Sequence, residues 1–179
     1  MIAALLLFSG IWTNEEQVRF AEEEGRVPPA WVALRVEGGR VQPIDAFGAV
    51  AGEGRALTAA EREAGQPLVP GAELRRARPF TCWAAIPRAD GSWWGARELA
   101  IHDQGGMVRL ATDEATPRRF ELRLRNVVWP SGPNRPSLVL YVHGAGEPRA
   151  LAYAWANPEA TRVGINLRSL QASCTLAGD

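Results

Sequence analysis

The residues of this chain with chemistry to offer are two cysteines, two histidines with an aspartate beside one of them, and seven tryptophans. Cys82 and Cys174 each fall among apolar neighbours, on the inward phase of a predicted strand. There is no CxxC, which disfavours a redox motif or a zinc knuckle and leaves one disulfide or two separate buried thiols. The disulfide Cys82–Cys174 is the expectation here, because the start of the chain points the same way. Ile2 to Phe8 is an unbroken apolar run followed by Ser9 and Gly10. An export signal needs an apolar stretch of about 7–15 residues. No Lys or Arg precedes the run, and the cleavage pattern is poor, so the first core strand of a cytosolic protein is the alternative. Residues 1–10 are thus read as a signal segment or first strand, and 11–179 as a single β-rich domain. The run is too short for a membrane-spanning helix, which needs about 20 residues.

His102 and His143 both lie at predicted strand ends beside turns, and Asp103 follows His102. A metal site requires both rings to converge with a carboxylate, and nothing in the spacing demands that. A dispersed hydrolase triad would combine one of these histidines with Asp103 and a loop serine such as Ser131. His143-Gly144-Ala145-Gly146 resembles the oxyanion loop of esterases, but that loop serves a serine in a GxSxG elbow, and the chain has no GxSxG. No catalytic residue, metal ligand or cofactor is assigned. Gly10-Ile11-Trp12 resembles the GxW that opens lipocalin-type and avidin-type barrels, with Arg168 as the arginine over that Trp. The likeness is confined to these residues, and the helix expected straight after Thr13 departs from it, so no family is assigned.

The tryptophans are Trp12, Trp31, Trp83, Trp93, Trp94, Trp129 and Trp155. Most are read as core, where their large apolar area is of use. Trp93, Trp94 and Trp129 are the candidates for a ligand site, lining a pocket or offering a flat aromatic surface to a sugar or an apolar ligand. Adjacent Trp93 and Trp94 must point to opposite faces of one strand, so at least one stands outside the main core.

These residues need a scaffold, and the composition describes one. Forty-six per cent hydrophobic and 22% charged residues are ordinary globular values, which excludes wholesale disorder. All 20 basic residues are arginine, which excludes lysine Schiff bases and Walker-type phosphate loops. They are matched by 20 acidic residues, and a formal net charge of zero argues against a nucleic-acid partner.

Along the chain, Thr13 or Asn14 caps a short helix through TNEEQVRFAEEEGR, with Glu16 or Gln17 closing a capping box and Gly25 as the stop. Trp31 to Val36 alternates as a strand, Gly38-Gly39 turns a hairpin, and Val41 to Asp45 returns. Residues 46–78 read as a long excursion with one short helix capped by Thr58. From Pro79 onward strands alternate with turns. Phe80, Cys82, Ala84 and Ile86 share one face. Phe120, Leu122 and Leu124 point in, while Arg119, Glu121, Arg123 and Arg125 point out as a solvated row or an anion-binding one. In Arg162 to Leu176 the apolar phase slips near Arg168-Ser169, which predicts a bulge or bend.

The fold expected is therefore mainly β: an antiparallel barrel or sandwich of about eight strands, with an N-terminal helix and a short helix in the excursion. The function expected is an exported, disulfide-closed, periplasmic or secreted domain without evident catalysis. It would bind a small ligand or an envelope partner, with no nucleic acid and no integral membrane span. The alternatives are a hydrolase with a dispersed Ser/His/Asp site and a cytosolic structural or interaction domain.

Overall fold

A computed structural model describes residues 9–63, 68–127 and 135–178. Ile2 to Phe8, Trp129 and Ser131 lie outside the described residues. The described chain is mainly β, with thirteen antiparallel strands in three sheets and two helices. It divides into two compact units, one ending at Ala77 and one beginning at Arg78. No helix among the described residues is long and apolar enough to cross a membrane.

The first unit holds five short strands: β1 (Gly10–Thr13), β2 (Ala33–Glu37), β3 (Arg40–Pro43), β4 (Arg55–Ala56) and β5 (Arg75–Arg76), ordered β4-β3-β2-β1-β5. Gly38 and Gly39 turn β2 into β3 with φ of 55° and 75°, a geometry that strongly favours residues without a Cβ. Leu34, Val36, Val41, Leu57 and Leu68 form the core of this unit.

Helix α1 (Glu15–Glu23) forms where the sequence places it, and of the two expected caps it is Thr13, not Asn14, that bonds a helix N–H. Asn14 occupies the N-cap, yet its side chain bonds no helix backbone N–H and meets the helix only at Gln17 Oε1, 3.4 Å from its Nδ2. Its Oδ1 accepts from Val32 N at 2.7 Å and its Nδ2 donates to Ala30 O at 2.9 Å. Thr13 Oγ1 takes the Glu15 N–H instead, at 3.2 Å. The unpaired carbonyl and amide of the 30–32 segment outcompete the helix for the amide side chain. Glu15 is buried and accepts from Trp31 Nε1 at 2.9 Å and Arg19 Nε at 3.2 Å. Helix α2 (Ala59–Glu63) does close a capping box. Glu61 N donates to Thr58 Oγ1 at 3.2 Å, and Thr58 N donates back to Glu61 Oε2 at 2.8 Å.

The second unit is sandwich-like and not a closed barrel. Its strands are β6 (Pro79–Pro87), β7 (Trp93–His102), β8 (Gln104–Ala111), β9 (Arg119–Val127), β10 (Ser137–Gly144), β11 (Ala150–Ala156), β12 (Arg162–Asn166) and β13 (Gln171–Leu176). They form two sheets, β11-β10-β9-β8 and β12-β13-β6-β7. Alternate residues fill the space between them: Phe80, Cys82, Ala84 and Ile86 from β6, Leu122 and Leu124 from β9, Leu138, Leu140 and Val142 from β10, and Ala172 and Cys174 from β13. Burying such a row is the main stabilising term, at about 25 cal/mol per Å² of apolar surface.

Two readings of this unit change. The phase slip near Arg168-Ser169 is a complete hairpin, in which β12 turns back onto β13 and Leu167 N donates to Leu170 O at 2.8 Å. Reversal lets each strand keep its own buried set, so no single strand has to bend. The outward row on β9 is only partly solvated: Glu121 is buried and accepts from Arg109 Nε at 3.4 Å.

Candidate functional site

The outer face of β12-β13-β6-β7 carries the feature best suited to a ligand. On β6 the inward residues Cys82 and Ala84 leave Trp83 pointing out, and the residue is 39% exposed. Across β6 and β7 the pairing runs Cys82 with Leu99 and then Ala84 with Ala96. One residue of β6, Trp83, thus stands against two of β7, Arg97 and Glu98, which is a β-bulge. Glu98 has φ of 55°. The left-handed conformation costs a side-chain-bearing residue about 1–3 kcal/mol, and such residues gather where a surface is shaped for use.

The bulge opens a groove of about 550 Å³ on one side of Trp83, lined among others by Thr81, Ala85, Gly95, Arg97 and Glu98. A second groove, of about 430 Å³, lies on the other side, with Arg162, Gly164, Asn166, Gln171 and Ser173 along it. Trp83 is the wall that both share. Small residues make the two depressions. A Cβ at Gly95 would meet only Ala84 O at 3.9 Å, and one at Gly164 would come within 3.2 Å of Ala172 O and of Ser173 Oγ. The polar groups are partly ordered: Arg162 Nε donates to Ser173 Oγ at 3.0 Å.

Beneath this face the disulfide is formed. Cys82 and Cys174 are directly opposed on β6 and β13, with an S–S bond of 2.05 Å, and Trp83 is likewise opposed by Ser173. The bond therefore ties the platform strand to its neighbour one residue from the indole. Sequence reading placed the pair correctly and passed over Trp83. The signal was present, because the residue between two inward positions of an alternating strand must point outward.

The other candidates are distributed as follows. Trp93 and Trp94 do fall on opposite faces. Trp94 packs against the sandwich core, whereas Trp93 is 49% exposed on the same outer face as Trp83 and is paired with Pro87. Trp129 is outside the described residues. His102 and Asp103 are both buried. Asp103 is the single residue between β7 and β8, where the chain passes from one sheet to the other. Its Oδ1 accepts from Arg78 N at 2.8 Å, and its Oδ2 accepts from Arg78 Nε at 2.6 Å and Asn126 Nδ2 at 3.0 Å. These bonds make Asp103 the clasp of a corner. His143 is buried on β10, with Nδ1 3.1 Å from Glu147 O and its ring 6.2 Å from that of Tyr141. Ser131, the serine of the dispersed triad, is outside the described residues. Among the described residues, no three His, Cys, Asp or Glu side chains converge as a metal site.

No family model matches this chain, and no curated protein or solved structure shows significant similarity to it.

Proposed function

We propose that this chain is an exported, disulfide-closed β domain that binds a small neutral saccharide across Trp83. The observation that carries the reading is the half-exposed indole standing between two shallow grooves with polar side chains along them. The apolar C–H face of a sugar ring suits a flat aromatic surface, and its hydroxyls suit the amides and charged groups beside it. Arg97 and Arg162 are offset by Glu98 and accompanied by Asn166 and Gln171, a mixed set that favours a neutral polar ligand over an ion. Trp93, on the same face, provides a second aromatic contact for a longer ligand. The Cys82–Cys174 bond supports a periplasmic or secreted location, since disulfides persist in oxidising compartments.

The test is calorimetric titration with a panel of neutral oligosaccharides, with tryptophan emission followed in parallel. Saturable binding is expected, weakened roughly tenfold or more by Trp83→Ala. Failure of every saccharide to bind, or a Trp83→Ala variant that binds like the parent, would sink the proposal.

A further inference from the structure

The largest exposed apolar side chains of the second unit are concentrated on one strand. Leu151, Tyr153 and Trp155 of β11 are 63%, 65% and 69% exposed, and they alternate with Ala150, Ala152, Ala154 and Ala156. Tyr141 of the neighbouring β10 is paired with Tyr153, their ring centroids 6.0 Å apart, and extends the same patch. β11 is also a sheet edge, joined to β10 on one side and to no other strand on its far side among the described residues. Half of its backbone N–H and C=O groups therefore face outward in ladder geometry.

The other three edges of the sandwich are guarded. β7 carries the bulge and the charges Arg97 and Glu98, β8 carries a bulge and Arg109, and β12 is five residues long and begins at Arg162. Bulges, charge and shortness are the devices that keep sheet edges from pairing. β11 has seven residues, none of them charged and none a proline; its one bulge, at Leu151 opposite Val142 and His143, lies at its start and leaves Ala152 to Ala156 in regular register.

We infer that β11 is the edge through which two copies of this chain pair, antiparallel and about a two-fold axis at Ala154, into one continuous eight-stranded sheet. That register sets Tyr153 of each copy against Trp155 of the other on the exposed face, and alanine against alanine on the inner face. Aromatic cross-strand pairs of this kind are the stabilising unit of a sheet. The ends agree as well. Arg149 precedes β11 and Glu159 follows it, so antiparallel pairing carries each arginine to the end of the partner strand that the glutamate follows. Pro148 and Pro158, which cannot donate to a ladder, bound the paired stretch at both ends. A two-fold contact of this type closes on itself and stops at a dimer.

Light scattering coupled to size exclusion, on the full chain under oxidising conditions, tests this. The expected mass is twice the 19.4 kDa of the chain. Tyr153→Glu combined with Trp155→Glu is expected to yield the single-chain mass with an unchanged circular dichroism spectrum, because both residues are exposed, and to melt lower only by the stability that association adds. Arg149→Glu is expected to weaken the dimer, and adding Glu159→Arg in the same chain to restore it. A parent chain that stays monomeric at every concentration would overturn the inference. So would a dimer that survives the double aromatic substitution, or a monomer that binds lipid vesicles through Trp155, which would assign the strip to a membrane surface.

Discussion

Trp83 and Glu98 meet across a β-bulge: the indole of β6 faces the point where β7 carries one extra residue, and Glu98 takes up that extra length at φ 55°. The same irregularity that strains one residue opens the groove beside the other.

Glu98 should therefore respond to substitution by backbone conformation and not by lost contacts. Glu98→Val places a β-branched residue in the left-handed region and is expected to destabilise by about 1–2 kcal/mol. Glu98→Gly relieves the strain and is expected to be neutral or mildly stabilising. Urea denaturation midpoints of the two variants read the difference, and equal losses in both would show that the conformation carries no cost.

Gly95→Leu tests whether the groove itself is used. Its Cβ has only Ala84 O within 4 Å, at 3.9 Å, so the fold has room for the new side chain and the groove receives it. Melting within about 0.5 kcal/mol of the parent is expected, with saccharide affinity lost. Unchanged affinity would move the ligand away from this side of Trp83.

The disulfide spans a sequence separation of 92 residues. Closing a loop of that size removes unfolded-state entropy worth about 4–5 kcal/mol in the chain-entropy model, and removal of native disulfides costs about 2–5 kcal/mol in practice. Cys82→Ala with Cys174→Ala is expected to lower the unfolding midpoint of the second unit accordingly. Mass spectrometry of the natively produced protein under non-reducing alkylation should find neither cysteine labelled. Two labelled thiols would return the chain to the cytosolic alternative.

The first unit is expected to show an acid sensitivity of its own. The Arg55 guanidinium, bonded to both oxygens of Glu61 at 2.6 and 2.8 Å, and the Thr58 cap hold the Glu61 carboxyl down from 4.5 to about 2. A carboxylate whose pKa is lower in the folded state adds stability in full above its unfolded pKa, and loses it as pH falls through the folded value. Stability around α2 is expected to decline between pH 4.5 and 2, and Glu61→Gln to flatten that decline while costing about 1 kcal/mol at neutral pH. Hydrogen exchange at the amides of α2 measures it. An identical acid profile in the variant would assign the decline to other groups.

Much of this architecture could be read from residue order, because it rests on local rules. Strict alternation at Phe80, Cys82, Ala84 and Ile86 leaves a strand only one way to bury its apolar side. Paired glycines at 38–39 allow a hairpin that other residues resist. Thr58 and Glu61 are three apart and close a capping box without help from elsewhere. The two cysteines share the inward phase of their strands, so their pairing follows once those strands are neighbours.

What residue order left open depends on partners distant along the chain. Asn14 looks like a helix cap until the 30–32 segment arrives to claim its amide. Asp103 looks like a companion for His102 until Arg78 and Asn126 close around it at the sheet-to-sheet corner. Trp83 gains its groove only because β7 carries an extra residue opposite it, and β11 is an exposed edge only because the strands are ordered as they are. Periodicity states which side of a strand is oily, and that is a local property. Which strand lies beside it, and what is left uncovered, is settled by long-range pairing, which no stretch of sequence contains.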